Sequence, residues 1–129
     1  MNRVTTALLV SDDLDDHQTI TEAFQKILPS MVVVAVLSQP KALELLASKK
    51  LVPDFVFLDL TSQDSDASSF LARLKTVEDG KPISFTIYGN EEDLMANPLK
   101  GIPSFEKDYE FPQLVEFLEF LLQTGSAKI

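Results

Sequence analysis

Residues 53–60, Pro53-Asp54-Phe55-Val56-Phe57-Leu58-Asp59-Leu60, decide the fold. Phe55 to Leu58 is apolar without a break, so a strand formed here must be buried on both faces, the condition of a parallel sheet covered by helices. Asp59 closes the run at its carboxyl end, where open α/β sheets place their ligands. Pro53-Asp54 marks the turn that leads into it.

The same grammar repeats on either side. Thr6 to Val10 is a short apolar strand, followed by a helix with Asp15 or Asp16 as its cap and Ile20, Ala23, Phe24, Ile27 and Leu28 on one face, ended by Pro29. Met31 to Leu37 is β-branched and uninterrupted, hence a second strand, and Pro40 suits the first turn of a helix carrying Leu43, Leu46 and Ala47. After the polar loop Thr61 to Ala67, the stripe Phe70, Leu71, Leu74 and Val77 predicts a helix that stops near Gly80. Ile83 to Tyr88 reads as a fourth strand. Glu91 to Lys100, with Pro98 and few apolar anchors, allows only a short helix. A weak strand around Ser104 to Glu106 and a strong helix from Pro112 to Leu122 complete five repeats. This alternation predicts a doubly wound, five-stranded parallel sheet with helices on both faces, an α/β fold. Residues 1–129 are expected to form one domain with a loose tail at 125–129.

Composition narrows the function. Twenty Asp and Glu against eleven Lys and Arg give a net charge of −9, which repels nucleic-acid phosphates and argues against DNA binding. The absence of cysteine excludes disulfides and thiol chemistry. The apolar stretch before Asp12 is too short for a signal peptide or a membrane span, so a soluble cytoplasmic protein is expected. Asp12, Asp59 and Lys107 each follow or adjoin an apolar run, and they converge at one sheet edge if those runs are parallel neighbours. Two carboxylates and an ammonium describe a site for a divalent metal and a transient phosphoryl group.

Three segments carry a family resemblance: Leu8-Leu9-Val10-Ser11-Asp12-Asp13-Leu14-Asp15-Asp16, residues 53–60, and Lys107-Asp108-Tyr109-Glu110-Phe111. Together and in order, they resemble the receiver domain of two-component response regulators over nearly the whole chain. With right-handed crossovers, the resemblance implies the strand order 2-1-3-4-5 of a flavodoxin-like α/β fold, and it implies a stand-alone, divergent receiver of a phosphorelay. Asp59 would be the phosphoacceptor and Lys107 the contact to the phosphoryl oxygens. Mg²⁺, weakly held, would be bound by Asp12, Asp59 and the main-chain carbonyl of Thr61, with Asp13 or Ser11 as a further ligand. A histidine kinase or phosphotransfer protein would supply the phosphoryl group. The face of the fourth helix, fifth strand and fifth helix would meet a downstream protein, the molecule being a monomer or weak homodimer. It would not be an enzyme beyond its own phosphorylation and dephosphorylation.

The departures from that pattern matter as much. Aligned on the acidic run at Asp15, the chain puts Ser11 in the place of the first metal-binding acid. Sliding by one would pair Asp12 with Asp13, but it would also turn the strand's faces over. Ile87 falls where the fourth strand should offer a hydroxyl to phosphate, flanked by Thr86 and Tyr88. Asp108 and Gln63 replace prolines, and Ala67 replaces a glycine. A pseudo-receiver, which keeps the fold and switches little or not at all by phosphorylation, is therefore the alternative. A flavin or nucleotide enzyme would need a Gly- or Ser/Thr-rich loop after the first strand, and Ser11 to Asp15 is acidic instead. An aspartyl phosphatase would need extra elements to close its pocket. Bland readings stand beside these: Asp15 and Asp16 as helix caps and dipole partners, His17 as an exposed imidazole that is neither ligand nor base, and Lys107 as an ion-pair partner of Asp59. On the last helix Leu114, Val115, Leu118, Leu121 and Leu122 share a face, leaving Phe120 pointing outward as a partner anchor.

Overall fold

The computed structural model describes residues 5–62, 66–77, 82–96, 99 and 101–124. Expectations for Gln63, Gly80, Pro98, Lys100 and the tail at 125–129 lie outside them. Strands and helices alternate: β1 (Thr6–Val10), α1 (Leu14–Ile27), β2 (Val32–Val36), α2 (Gln39–Ala47), β3 (Phe55–Asp59), α3 (Ala67–Val77), β4 (Ser84–Gly89), α4 (Glu91–Ala96), β5 (Ser104–Glu106) and α5 (Phe111–Thr124). The five strands are parallel in the order β2-β1-β3-β4-β5, the doubly wound arrangement the alternation demands.

Period-two alternation along the inner strands feeds two separate cores. Leu8, Val10, Val56, Leu58, Phe85 and Ile87 face α2 and α3, where they meet Leu46, Phe70 and Leu74. Ala7, Leu9, Phe55, Phe57 and Tyr88 face α1 and α5, where they meet Ile20, Phe24, Leu114, Leu118 and Leu121. Every residue of β3 and β4 is buried, as the unbroken apolar run of β3 requires. β2 is shorter than the Met31 to Leu37 run and partly open, because it is an edge strand with one neighbour; Val32 and Leu37 stay exposed.

Local signals set the helix starts. Asp13, and not Asp15 or Asp16, caps α1: its side chain accepts from the backbone N–H groups of Asp15 and Asp16. Ser38 caps α2 with Pro40 in its first turn. α4 is only six residues long and buries none of them, as its few apolar anchors imply. Gly89 ends β4 where a Cβ would come within 3.2 Å of the Leu60 and Asp93 side chains, a tight contact that a glycine avoids. None of the helices among the described residues is long and apolar enough to cross a membrane.

Candidate functional site

Parallel strands bring the residues that follow β1, β3 and β5 to one edge. The β3–β4 register sets Asp59 opposite Tyr88, and the Lys107 N–H continues the β4–β5 ladder onto the Gly89 carbonyl at 2.9 Å. Ser11, just past β1, is anchored by its own N–H to the Val36 carbonyl and by His17, whose Nε2 donates to the Ser11 carbonyl at 2.6 Å. His17 is thus half-buried with a structural partner, rather than the free exposed imidazole expected from sequence.

Asp59 is fully buried, and both of its oxygens are occupied. Oδ1 accepts from the Thr61 N–H at 2.8 Å and the Thr61 hydroxyl at 2.6 Å. Oδ2 accepts from the Ser11 hydroxyl at 2.7 Å and from Lys107 Nζ at 3.2 Å. The ammonium of Lys107 also lies 2.9 Å from Asp16 Oδ2, 3.4 Å from Asp13 Oδ2 and 2.9 Å from Thr61 Oγ1. The Tyr88 hydroxyl donates to the same Asp16 oxygen at 3.1 Å. Three carboxylates around one ammonium leave two negative charges in excess.

That imbalance sets the proton affinities. Burial would lower the pKa of Lys107, but the Asp16 hydrogen bond and the Asp59 charge outweigh it and hold the ammonium well above the ordinary lysine range. Burial pushes Asp16 up, and Lys107 offsets this only in part because Asp13 and Asp59 add repulsion. For Asp13, burial acts upward, yet the Asp15 N–H, Lys107 and the Asp16 N–H together bring it below the usual carboxylate value. Burial drives the Tyr88 phenol far up, and the neighbouring Asp59 and Asp16 charges add to it.

Asp59 and Lys107 therefore stand in contact, as their placement after β3 and β5 suggested. Asp12 does not join them: it is exposed, and its Oδ1 lies 3.4 Å from the Ser62 hydroxyl. Asp13, the further ligand the resemblance allowed, turns one oxygen inward toward Lys107 and spends the other on the helix cap. Ile87 is also elsewhere, on the opposite side of the sheet among Val56, Leu58 and Phe85. The residue beside Asp59 on β4 is Tyr88, which keeps a hydroxyl; the Thr86 hydroxyl is buried without a partner. Sequence reasoning missed Asp16 and Tyr88 as members of the cluster. Asp16 is the third helical residue after the Asp13 cap, the position that a capping side chain reaches, and that spacing was the available signal.

Receiver domains as a family typically bind Mg²⁺, so the donor set bears a test. Among the described residues no group of three or more His, Cys, Asp or Glu side chains is arranged to hold a metal. Mg²⁺ asks for less, namely oxygen donors with one or two carboxylates, the rest being water and phosphate. The site's donors are all oxygens with excess negative charge, and Asp13 Oδ2 and Asp59 Oδ2 already flank one cation, the ammonium. In donor type they fit a hard cation.

No family model matches the sequence, and no curated protein does. Solved structures do match. The response regulator receiver protein of Sinorhizobium medicae is 25% identical, with 95% of this chain and 97% of that one covered at a TM-score of 0.65. The response regulator receiver domain of Methylobacillus flagellatus is 20% identical, with coverage of 92% and 99% and a TM-score of 0.73. A response regulator receiver domain protein of Clostridium thermocellum is 15% identical, with coverage of 95% and 97% and a TM-score of 0.72. The chain has the flavodoxin-like fold of response regulator receiver domains along nearly its whole length.

Proposed function

We propose that the chain is a receiver-type signalling module that accepts a phosphoryl group on Asp59 and signals by protein contact, without being an enzyme in the usual sense. One observation carries the reading: Asp59 Oδ2 lies 3.2 Å from Lys107 Nζ at the carboxyl edge of the sheet. A carboxylate that attacks phosphorus must approach an anionic phosphoryl group, and a fixed cation at that distance lowers their repulsion and neutralises the phosphoryl oxygens as charge redistributes. Transfer forms a bond from Asp59 oxygen to phosphorus and breaks the donor's nitrogen–phosphorus bond, with a proton passing to the departing imidazole. Ser11 must release Oδ2 for this. Thr61 keeps Oδ1 in place through two hydrogen bonds, so the carboxylate stays oriented while its other oxygen reacts. Mg²⁺, when bound by Asp13, Asp59 and the Thr61 carbonyl, would withdraw charge from the phosphoryl oxygens. A histidine kinase or phosphotransfer protein is the donor, and the setting is cytoplasmic.

The output contact lies on α4, β5 and α5, with Phe120 as its aromatic anchor. Phe120 is 57% exposed while Leu114, Leu118 and Leu121 of the same helix are buried. The protein is a monomer or weak homodimer in this reading.

A second reading has its own support. With both Asp59 oxygens occupied and a serine holding one of them, the site also suits a pseudo-receiver in which the cluster is structural. Beryllofluoride with Mg²⁺, followed by amide chemical shifts, separates the two. Saturable shifts at Asp59, Thr61 and Lys107 that Asp59→Asn abolishes support phosphoryl acceptance. An unchanged spectrum supports the pseudo-receiver.

A further inference from the structure

Beside the Lys107 cluster, on the side away from α2 and α3, a cavity of about 220 Å³ opens between α1, β5 and the start of α5. Its volume suits one long side chain. Three aromatic rings line it beside Ile20 and Leu114: Tyr88 and Phe105 stack at 4.8 Å with their planes 2° apart, and Tyr109 leans on Phe105 at 6.1 Å. Its charged groups are Asp16 from α1 and Glu106 and Lys107 from β5 and the turn after it. Lys107 presents little net positive charge there, because Asp13, Asp16 and Asp59 surround it. An anion entering would meet that excess of carboxylates, and an apolar side chain would displace water from the Glu106 carboxylate without bonding it.

We infer that this cavity receives an arginine side chain from a partner protein. A guanidinium is flat, so it can lie against an aromatic ring, and its fork of N–H donors can serve more than one acceptor among the lining residues at once. A lysine ammonium, a point charge, has neither the flat face nor the fixed fork. The chain's net charge of −9 favours approach of such a basic segment. Occupancy would also be felt at the phosphoryl site, since Asp16 belongs to both the cavity wall and the Lys107 cluster. The inference stands on the cavity and does not require that Asp59 be phosphorylated.

The chain supplies its own reporter. It holds two tyrosines and no tryptophan, and both tyrosines line the cavity, so intrinsic fluorescence reads the cavity alone. The intact protein is titrated with the blocked tripeptide Gly-Arg-Gly, its citrulline counterpart, and agmatine. Saturable fluorescence change with the arginine peptide is expected, about fivefold weaker with citrulline, and about threefold weaker after Glu106→Gln in a chain whose circular dichroism is unchanged. Amide shifts at Thr19 and Glu106 should saturate in parallel. Equal response to arginine and citrulline, no response, or indifference to Glu106→Gln would overturn the inference. Agmatine binding more tightly than the tripeptide would assign the cavity to a small free guanidine and overturn the partner assignment.

Discussion

Replacing Lys107 by methionine tests the electrostatic heart of the structure. The substitution preserves the apolar stem and removes only the ammonium, which stands within 3.4 Å of carboxylates of Asp13, Asp16 and Asp59. Removing one partner of a buried ion pair costs about 3 to 5 kcal/mol, mostly because the remaining charge is left uncompensated. Here the cost is smaller. Asp59 keeps its bonds from Ser11 and Thr61, and Asp13, with 41% of its side chain exposed, recovers solvation. A loss of about 2 to 3 kcal/mol is expected at neutral pH. Urea unfolding followed by circular dichroism measures it as a fall in midpoint with an unchanged slope. Adding Asp59→Asn to Lys107→Met should restore about half of the loss, since one unpaired charge disappears, and the double-mutant cycle should show strong coupling. A single-mutant loss under about 0.5 kcal/mol, in the range of exposed pairs, would refute the reasoning. So would an Asp59→Asn effect that simply adds.

Stability should decline steeply above pH 10. Lys107, raised from 10.5 in the fold, contributes stability that is complete below that value and is lost as pH climbs through its higher folded value. Tyr88, raised from 10.0, stays protonated in the fold while the unfolded phenol ionises, so it acts in the same direction; a flat denaturation midpoint between pH 9 and 11, read alongside tyrosinate absorbance, would contradict both assignments. Ser11→Asp should tighten Mg²⁺ binding and, without metal, lower stability by crowding a carboxylate against Asp59, as calorimetry and thermal melts would show; unchanged Mg²⁺ affinity would count against placing the missing acid at Ser11. Phe120→Ser should leave the melting curve intact while weakening self-association or partner capture in sedimentation or pull-down, and an unfolded variant would instead place that ring in the core.

Much of this fold was legible because its strands are short, unbroken apolar runs. Phe55 to Leu58, short, apolar and bounded by turn residues, reads as a strand with helices on both sides; the strand order followed from right-handed crossovers and the family resemblance, and the Asp59–Lys107 contact from the parallel pairing. The acidic run from Asp12 to Asp16 was not legible. Four aspartates within five residues share one composition, and only the backbone turn after Ser11 decides that Asp12 faces water, Asp13 caps α1 and Asp16 reaches Lys107. The fourth strand failed for a related reason. Consecutive strand residues face opposite sides, so a shift of one residue exchanges Ile87 for Tyr88, and the run Thr86-Ile87-Tyr88 contains no pattern that fixes its register. The pairing of Asp59 with Tyr88 fixes it. The hydroxyl thought lost from the site is present on a longer arm, directed at Asp16 rather than at Asp59.

The most direct test of the phosphoacceptor reading is intact-mass analysis after incubation with acetyl phosphate and Mg²⁺, comparing wild type, Asp59→Asn and Lys107→Met. The account predicts the gain of one phosphoryl group in wild type, none in Asp59→Asn, and a strongly slowed gain in Lys107→Met. Failure of the wild-type protein to gain a phosphoryl group, or an equal gain in Asp59→Asn, would contradict it.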